Sequence, residues 1–311
     1  MRIVFMGTPD FSVPVLEALV QEGHEVVQVV TQPDKPKGRG KSVLMTPVKE
    51  KALALGLPVW QPERIRRPEA VEQLKELAPD VIVVVAFGQI LSRQVLDIPR
   101  LGCVNVHASL LPKYRGAAPI QWAILDGETC TGVTTMLMDE GIDTGNMLEK
   151  LEVPIAPDET GGSLHDKLSR AGAELIRSTL RRLEAGTLVP EPQTEEGTCY
   201  ARMLTKTMGD IDWNMDAAAI ERLIRGLNPW PSAYTHLDGR TLKIWKAQVR
   251  EGNPEGVCGQ IVETGRDSIS VKTGNGVLVL QEVQLEGKKR MDAGAFLRGF
   301  PLKAGTVLER S

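Results

Sequence analysis

The stretch Leu101-Gly102-Cys103-Val104-Asn105-Val106-His107 is a short apolar run with two polar side chains near its end. Such runs are typical of strands that are buried on both faces of a parallel sheet. Side chains two positions apart on a strand share a face, so Asn105 and His107 are expected to point the same way. Because ligands of open α/β sheets bind beyond the carboxyl ends of the strands, we predict a polar site here.

Four further β-branched, nearly continuous apolar runs have the composition of parallel strands covered on both faces, and helical patterns separate them. These runs cover residues 3–6, 25–31, 80–87 and 132–138. The clearest helical pattern spans residues 163–185, with Ser163 and Asp166 as its expected N-terminal cap. The pattern predicts a doubly wound, mostly parallel α/β domain over residues 1–189.

The pattern changes after residue 189. Residues 190–206 contain two prolines and two adjacent glutamates without a sustained period, which predicts a linker. One short helical pattern then covers residues 216–227. Strand-like runs separated by Gly, Asn and Asp turns follow at residues 241–249, 256–264, 268–273 and 276–285. We therefore predict a small β-barrel over residues 207–311.

Composition and charge limit the class of protein. The chain has 311 residues, 42% of them apolar, and a net charge of −3, so no overall basic bias indicates a nucleic-acid coat protein. Its four cysteines are too dispersed for a zinc site or a disulfide framework, which favours a reducing cytoplasm and no metal. No leader segment and no membrane-length apolar run is evident. We expect a cytoplasmic protein without membrane or DNA partners, and a monomer.

A carboxylate completes the predicted site. Asp143 follows His107 by 36 residues, inside Gly141-Ile142-Asp143-Thr144-Gly145, where flanking glycines allow a sharp turn. An amide, an imidazole and a carboxylate are the groups needed to move an acyl group onto an amine. The segment 109–116 is expected to form an exposed, ordered loop beside them. By themselves these residues indicate only the transfer of a small group onto a nucleophile.

A basic loop follows the second predicted strand. Residues 31–42 carry Lys35, Lys37, Arg39 and Lys41 against the single anion Asp34, on a framework of Gly and Pro. The loop lies at the same predicted edge of the sheet as the polar site. Basic side chains on loops bind phosphate backbones by releasing counterions, so we expect a phosphate-bearing partner to reach the site.

Several motifs together resemble the signature of the formyltetrahydrofolate-dependent formyltransferases. The core of the resemblance is Asn105, His107, the Ser109-Leu110-Leu111-Pro112 segment and Asp143. Similar stretches extend it over nearly the whole length of the chain: Met6-Gly7-Thr8-Pro9-Asp10-Phe11, the basic loop, residues 114–122 and Gly226-Leu227-Asn228-Pro229-Trp230-Pro231. The resemblance implies a Rossmann-like catalytic domain, a linker and an OB-like barrel.

The resemblance also implies substrates and roles. Asn105, His107 and Asp143 would be catalytic, and 10-formyltetrahydrofolate would be the formyl donor. Initiator methionyl-tRNA would be the acceptor, with Lys35, Lys37, Arg39, Lys41 and Lys206 along its path. The donor would lie against Phe87, Gly88, Gln89, Ile90, Leu91, Ser109, Leu110, Leu111, Pro112 and Asp139.

Three alternatives remain open at this point. The nearest alternative is another folate-dependent formyltransferase, such as one acting on glycinamide ribonucleotide, or a formyltetrahydrofolate hydrolase. The glycinamide ribonucleotide enzyme is expected to end after about one domain, so the hundred residues from Lys206 onward disfavour it. A non-catalytic tRNA-binding protein would leave these side chains without a purpose. A dehydrogenase is disfavoured because the loop after the first strand lacks the second and third glycines of a dinucleotide fingerprint.

Overall fold

The computed structural model describes residues 1–37 and 42–310, and of residues 36, 37, 42 and 43 it describes the backbone alone. The described chain divides into two compact units. The first contains Met1–Pro119, Cys130–Pro154 and His165–Ala201, and the second contains Ile120–Thr129, Ile155–Leu164 and Arg202–Ser311. Each compact unit therefore includes more than one stretch of the chain.

A sheet of seven strands forms the centre of the first unit. The strands up to residue 201 are β1 (Arg2–Gly7), β2 (Glu25–Val30), β3 (Lys35–Lys37), β4 (Ser42–Leu44), β5 (Val59–Trp60), β6 (Val81–Val85), β7 (Cys103–His107), β8 (Arg115–Gly116), β9 (Cys130–Leu137), β10 (Met147–Pro154) and β11 (Tyr200–Ala201). The helices up to that residue are α1 (Val13–Gln21), α2 (Pro47–Ala54), α3 (Pro68–Glu76), α4 (Arg93–Leu96), α5 (Pro119–Leu125) and α6 (Gly161–Glu184), and Asp10–Ser12 forms a short 3-10 turn.

The seven strands lie in the order β10-β9-β7-β6-β1-β2-β5. Neighbouring strands from β7 to β5 are parallel, which confirms the predicted doubly wound α/β class. The predicted run at residues 132–138 forms β9, but β9 runs antiparallel to β7 and to β10. The expectation of a parallel strand there was wrong, because a continuous apolar run records burial on both faces and carries no information about direction.

The core of this unit follows from the apolar runs. Every side chain from Ile3 to Met6 and from Val81 to Val83 is fully buried. Helix α6 begins two residues before the predicted helix and ends one residue before its predicted end. Its N-terminal cap is the reciprocal pair of Thr160 and Ser163, in which each backbone N–H donates to the hydroxyl of the other residue. The predicted pairing of Ser163 with Asp166 was therefore wrong by one turn.

The second unit is built on an antiparallel sheet. Its remaining strands are β12 (Ala233–Leu237), β13 (Arg240–Arg250), β14 (Ile261–Thr264), β15 (Ile269–Lys272), β16 (Val277–Leu285) and β17 (Met291–Asp292), and its helices after residue 201 are α7 (Ala217–Gly226) and α8 (Ala293–Gly299), with a 3-10 turn at Lys206–Gly209. The order is β12-β13-β16-β15-β14, and β17 pairs with β16.

A segment near residue 307 joins the two outer strands of this sheet. The N–H of His236 on β12 donates to the carbonyl of Glu309, and the N–H of Ile261 on β14 donates to the carbonyl of Thr306. The strand order therefore closes into a small barrel, as predicted, through residues that carry no strand pattern. Within the residues that the structure describes, no helix is both long enough and apolar enough to span a membrane.

Candidate active site

Strand β7 places the amide and the imidazole of the predicted site. Asn105 pairs with Val84 of β6 and Met136 of β9, and His107 lies opposite Thr134. Asn105 is 9% exposed and His107 is 6% exposed. Among the described residues, none forms a hydrogen bond with the side-chain amide of Asn105. Two amide N–H donors at the end of a buried strand are therefore available to a ligand.

The hydrogen bonds of His107 define its tautomer. The Nε2 atom lies 2.9 Å from the carbonyl oxygen of Tyr114, which can only accept, so Nε2 carries the proton. In the neutral ring, Nδ1 therefore holds a lone pair. The Oδ2 atom of Asp143 lies 3.7 Å from Nδ1. His107 is thus oriented by a main-chain group on one side and presents a basic nitrogen toward a carboxylate on the other.

The Asp143 carboxylate lies on a strained turn. Asp143 has a φ of 55°, a left-handed conformation that is uncommon outside glycine. Its Oδ2 atom accepts a hydrogen bond of 2.8 Å from the N–H of Gly116. Asp139 stabilises the same turn, since its Oδ1 accepts from the N–H of Gly141 and from the hydroxyl of Thr144. Asp139 therefore acts as a capping residue of the turn that presents Asp143.

The connection from β9 to β10, which contains this turn, runs along the sheet from the start of β7 toward its end. Because β9 is antiparallel to β7, Leu137 at the end of β9 pairs with Val104 near the start of β7. Residues 138–146 connect β9 to β10, and Asp143 within them returns to His107 at the opposite end of β7. The predicted neighbourhood of Asp143 and His107 is present, although the chain reaches it by a different route.

A cleft lies beside Asp143, the one member of the three-residue site that lines it. Its lining residues are Gln89, Ile90, Leu91, Met136, Met138, Asp139, Glu140, Gly141, Ile142 and Asp143. Ile90 is 71% exposed and Ile142 is 67% exposed, and both are apolar. The amide of Gln89 is used inside the protein, where it accepts from the N–H of Ile65 and donates to the carbonyl of Pro62. The cleft therefore combines apolar walls with the polar backbone of the Asp139–Asp143 turn.

The structure brings only part of the predicted donor-binding set to this cleft. Gln89, Ile90, Leu91 and Asp139 line it, whereas Phe87 packs in the core and Gly88 is not among the lining residues. The side chains of Ser109 and Leu111 are buried, and the hydroxyl of Ser109 donates to the carbonyl of Lys113. Leu110 and Pro112 are half-buried. The segment 109–112 is therefore packed against β9, where Thr134 donates to the carbonyl of Ser109 and accepts from the N–H of Leu111, and it is not among the residues that line this cleft.

The expectation of an exposed loop at 109–116 was wrong. Tyr114 is 6% exposed and Arg115 only 2%. The cover comes from residues 190–201, which we predict as a linker. There, β11 pairs with β8, and the N–H of Arg115 donates to the carbonyl of Cys199. Proline and charge near position 115 indicate a loop, but they do not reveal a later segment that packs over it.

Sequence patterns do not identify two residues of the site, Gln193 and Cys199. Gln193 donates to the carbonyls of Asp143 and Gly145, and it accepts from the Nε of Arg115. Cys199 accepts a hydrogen bond from the N–H of Tyr114. Both lie in an aperiodic stretch with no motif, so no local signal distinguishes them.

The basic loop is described at its base. Lys35 is exposed at the start of β3, and Lys37 ends that strand. Arg39 and Lys41 lie outside the described residues. Asp34 forms an ion pair with Lys49 and accepts from the amide of Gln61, whose Nε2 also donates to the carbonyl of Gln32. The base of the loop is therefore fixed by a polar network of partly buried side chains.

The other predicted cation, Lys206, is exposed and begins the 3-10 turn of the second unit. Within the described ranges, no group of three or more His, Cys, Asp or Glu side chains is arranged to hold a metal ion.

A Rossmann-like domain with an amide, an imidazole and a carboxylate at the end of one strand, followed by a small barrel, defines a class of group-transfer enzymes. Residues 1–180 match the family model described as formyl transferase, and residues 203–301 match that of the formyl transferase C-terminal domain. The chain belongs to the formyl transferase family, which confirms the family that the motifs resemble.

Close relatives within the family cover nearly the whole chain. The chain is 58% identical to the methionyl-tRNA formyltransferase of Agathobacter rectalis, over 98% of this chain and 99% of that protein. It is 55% identical to the methionyl-tRNA formyltransferase of Citrifermentans bemidjiense, over 99% of this chain and 96% of that protein.

More distant solved structures share the fold. The sugar 3N-formyltransferase WlaRD matches with a TM-score of 0.69 and 19% identity, over 93% of this chain and 99% of that chain. Glycinamide ribonucleotide transformylase 1 from Symbiobacterium toebii matches with a TM-score of 0.52 and 18% identity, over 62% of this chain and 94% of that chain.

Proposed function

We propose that this protein transfers the formyl group of 10-formyltetrahydrofolate to the α-amino group of initiator methionyl-tRNA, giving N-formylmethionyl-tRNA for translation initiation in the cytoplasm. The observation that carries the proposal is the identity of 58% and 55%, over nearly full length, to proteins named methionyl-tRNA formyltransferase. We assign catalysis to the first unit, in which residues 190–201 of the predicted linker pack over β8, and we assign to the barrel at 207–311 a part in holding tRNA.

The cleft suits a folate as the formyl donor. A pterin is flat and apolar on its faces and polar at its edges. Leu91, Met136 and Met138 offer apolar contact, and the Asp139–Asp143 turn offers backbone donors and acceptors. The solved structure of WlaRD was determined in the presence of 5-N-formyl-THF, which supports a folate-type donor in this fold.

Asn105 provides the electrostatic part of the reaction. When the amine attacks the formyl carbon, negative charge develops on the formyl oxygen. An amide N–H that is held in place beforehand stabilises such a charge by about 2.7–4 kcal/mol in well-studied cases. The amide of Asn105 is buried at a strand end and is free of other partners among the described residues, so it is suited to this role.

His107 and Asp143 move the proton. The attacking amine must lose a proton, and the leaving folate nitrogen must gain one. The Nδ1 atom of His107 carries a lone pair and lies 3.7 Å from Oδ2 of Asp143, which lines the cleft. Nδ1 accepts the proton directly or through a water, the nearby carboxylate stabilises the imidazolium that results, and Nδ1 then returns the proton. His107 donates to the formyl oxygen only in this protonated state.

The basic loop and Lys206 contact the acceptor end of the tRNA. Lys35 is exposed at the start of β3, shortly after the end of β2. In the sequence, Lys37, Arg39 and Lys41 continue the run of cations. Phosphate contacts position a nucleic acid without reading its bases, so these residues set affinity. This role predicts a salt-dependent KM for tRNA.

The test offers 10-formyltetrahydrofolate with methionylated initiator tRNA, methionylated elongator tRNA and glycinamide ribonucleotide in parallel. Formylation confined to the initiator tRNA supports the proposal. Formylation of glycinamide ribonucleotide, donor hydrolysis without transfer, or tRNA binding without transfer would each contradict it.

Variants Asn105→Ala, His107→Ala and Asp143→Ala, assayed with folding checked by circular dichroism, test the site. Turnover close to that of the wild type in all three would contradict its assignment.

A further inference from the structure

We propose that Gln193 is a positioning residue for formyl transfer, whose side-chain amide holds the Asp143 turn so that the carboxylate stays beside His107. The inference rests on the proposed function, because it assigns a role within that reaction. Gln193 lies in the segment that sequence patterns predict as a plain linker. Its contacts instead connect that segment directly to the turn that carries Asp143.

The orientation of the Gln193 amide is fixed by its neighbours. The Nε of Arg115 donates a hydrogen bond of 2.9 Å to Oε1 of Gln193. A guanidinium can only donate, so the oxygen of the amide must face Arg115 and the nitrogen must face away. That nitrogen donates to the carbonyl of Asp143 and to the carbonyl of Gly145, both at 2.8 Å. Both N–H groups of Gln193 are therefore spent on the Asp143 turn.

These two bonds stabilise a backbone that is otherwise unfavourable. The φ of 55° at Asp143 is costly for a residue with a Cβ, and such conformations persist only when the surroundings determine them. One of the two carbonyls that Gln193 binds belongs to this strained residue, and the other lies two residues further along the same turn. Without them, the turn is free to relax toward an ordinary conformation, and the Asp143 carboxylate moves away from Nδ1 of His107.

A second contact ties the carboxylate itself to the same segment. Oδ2 of Asp143 accepts from the N–H of Gly116, and Gly116 belongs to β8, which pairs with β11. Segment 193–201 therefore fixes Asp143 in two ways: through its main chain by Gln193, and through its side chain by way of Gly116. Loss of Gln193 removes the first and leaves the second.

The partner of Gln193 explains why an amide stands there. Arg115 is 2% exposed, and its Nη1 atom lies 3.6 Å from a carboxylate oxygen of Glu195, whose side chain is 87% exposed. A carboxylate at position 193 would pair well with Arg115 but would have no hydrogen to donate to Asp143 and Gly145. Gln193→Glu therefore keeps the hydrogen bond from Arg115 and removes the two hydrogen bonds to the Asp143 turn.

The experiment measures formylation of methionylated initiator tRNA by the full chain with Gln193→Glu, Gln193→Met and, as a matched control, Glu196→Gln. Glu196 is exposed and three residues along the same segment. We expect kcat to fall about 10- to 100-fold in both Gln193 variants, as is typical of misplaced catalytic groups. KM for each substrate and the midpoint of thermal unfolding should stay close to those of wild type, and Glu196→Gln should match wild type throughout.

A double-mutant cycle distinguishes positioning from general support of the fold. In an Asp143→Asn background, Gln193→Met should lower kcat by less than about threefold, because the group that it positions is already inactive. Wild-type kcat in both Gln193 variants, or a full additional loss in the Asp143→Asn background, would overturn the inference. A wild-type chain that transfers no formyl group would instead contradict the proposed function, and the role of Gln193 with it.

Discussion

Nδ1 of His107 lies 3.7 Å from Oδ2 of Asp143, while the carbonyl of Tyr114 holds the opposite ring nitrogen at 2.9 Å. The first distance exceeds that of a hydrogen bond, and the second is a normal one. The imidazole is therefore oriented by the main chain, and its basic nitrogen is not engaged by the carboxylate. This arrangement suits a group that takes up a proton during the reaction and is stabilised only after it does so.

Replacing Asp143 by asparagine should separate charge from shape. The amide oxygen of Asp143→Asn can still accept from the N–H of Gly116. The negative charge beside His107 is lost, however, so the imidazolium is no longer stabilised. We expect kcat to fall about 100-fold or more, in the range of general acid–base effects. Single-turnover formylation measures the effect, with the exposed Glu196→Gln, outside the cleft, as the control. A loss below threefold would contradict the role of the charge.

Replacing Asn105 tests the donor to the formyl oxygen. Asn105→Asp keeps the size of the side chain but replaces its N–H groups with acceptors. We expect kcat to fall about 100- to 1000-fold, with little change in KM, because the lost interaction belongs to the transition state. Asn105→Ala should lose a similar amount. Steady-state kinetics with both substrates varied provides the measurement, and an Asn105→Asp variant with wild-type kcat would exclude this donor.

A substitution at the base of the basic loop should change KM for tRNA without changing KM for the folate donor. Lys49→Met removes the cation that pairs with Asp34, so Lys35 next to it loses a fixed neighbour at the base of the loop. We expect KM for tRNA to rise about two- to tenfold, the cost of immobilising the Lys35 side chain on binding, with KM for the donor unchanged. Lys51→Met removes an equal charge from an exposed pair with Glu17 and serves as the control. Equal effects of the two variants would show that only total charge matters.

Asp80 should make stability depend on acid pH. The backbone N–H of Arg2 and then the guanidinium of Arg100 lower the pKa of Asp80 below its ordinary value of 3.8. A carboxyl with a depressed folded pKa adds stability that is fully present above the unfolded pKa and is lost as pH falls through the folded pKa. Asp80→Asn should therefore lower the free energy of unfolding at pH 7.

The difference between wild type and Asp80→Asn should shrink as the pH falls below about 4. Urea unfolding at several pH values measures it, and Asp158→Asn, at an exposed carboxyl, is the matched control. A difference that stays constant or grows toward acid pH would contradict the cause assigned to the lowered pKa of Asp80.

Cys103 should resist alkylation in the native protein. Burial raises the pKa of its thiol to about 12, and only the thiolate reacts. At pH 8 we expect iodoacetamide to label Cys103 at least about 100-fold more slowly than in urea-unfolded chain. Mass spectrometry of tryptic peptides gives the rates, with the half-buried Cys130, Cys199 and Cys258 as internal comparisons. Equal labelling of Cys103 in both states would show that the strand opens.

The sequence predicts the strands of the first unit well, because burial and β-branched composition are local properties. Direction is not local, and β9 shows the difference. Its apolar run has the composition of a parallel strand, yet it pairs antiparallel to β7. Asp143 nevertheless lies beside His107, as predicted. The connection between β9 and β10 is long enough to run from the start of β7 to the end of β7, where His107 lies. A motif can therefore identify residues that meet while the path between them stays unpredicted.

Side chains that act through other residues are the hardest to predict. Asn105 and His107 stand out because polar groups in a buried strand are unusual. Gln193 lies 50 residues beyond Asp143 in a stretch without period or motif, and only its contacts reveal its role. The burial of Arg115 was likewise hidden, since it depends on a segment that returns from far along the chain.

The segment near residue 307, which is hydrogen-bonded to both β12 and β14, protects the outer edges of the second unit's sheet. Each of these strands would otherwise present unpaired N–H and C=O groups, the kind of edge that recruits strands from other molecules. Proteolytic loss of residues 305–309 would take the buried side chain of Leu308 out of the barrel's core and also expose the unpaired edges of β12 and β14. Such a loss would then lead to self-association of the chains, seen by light scattering, together with a lower midpoint of thermal unfolding.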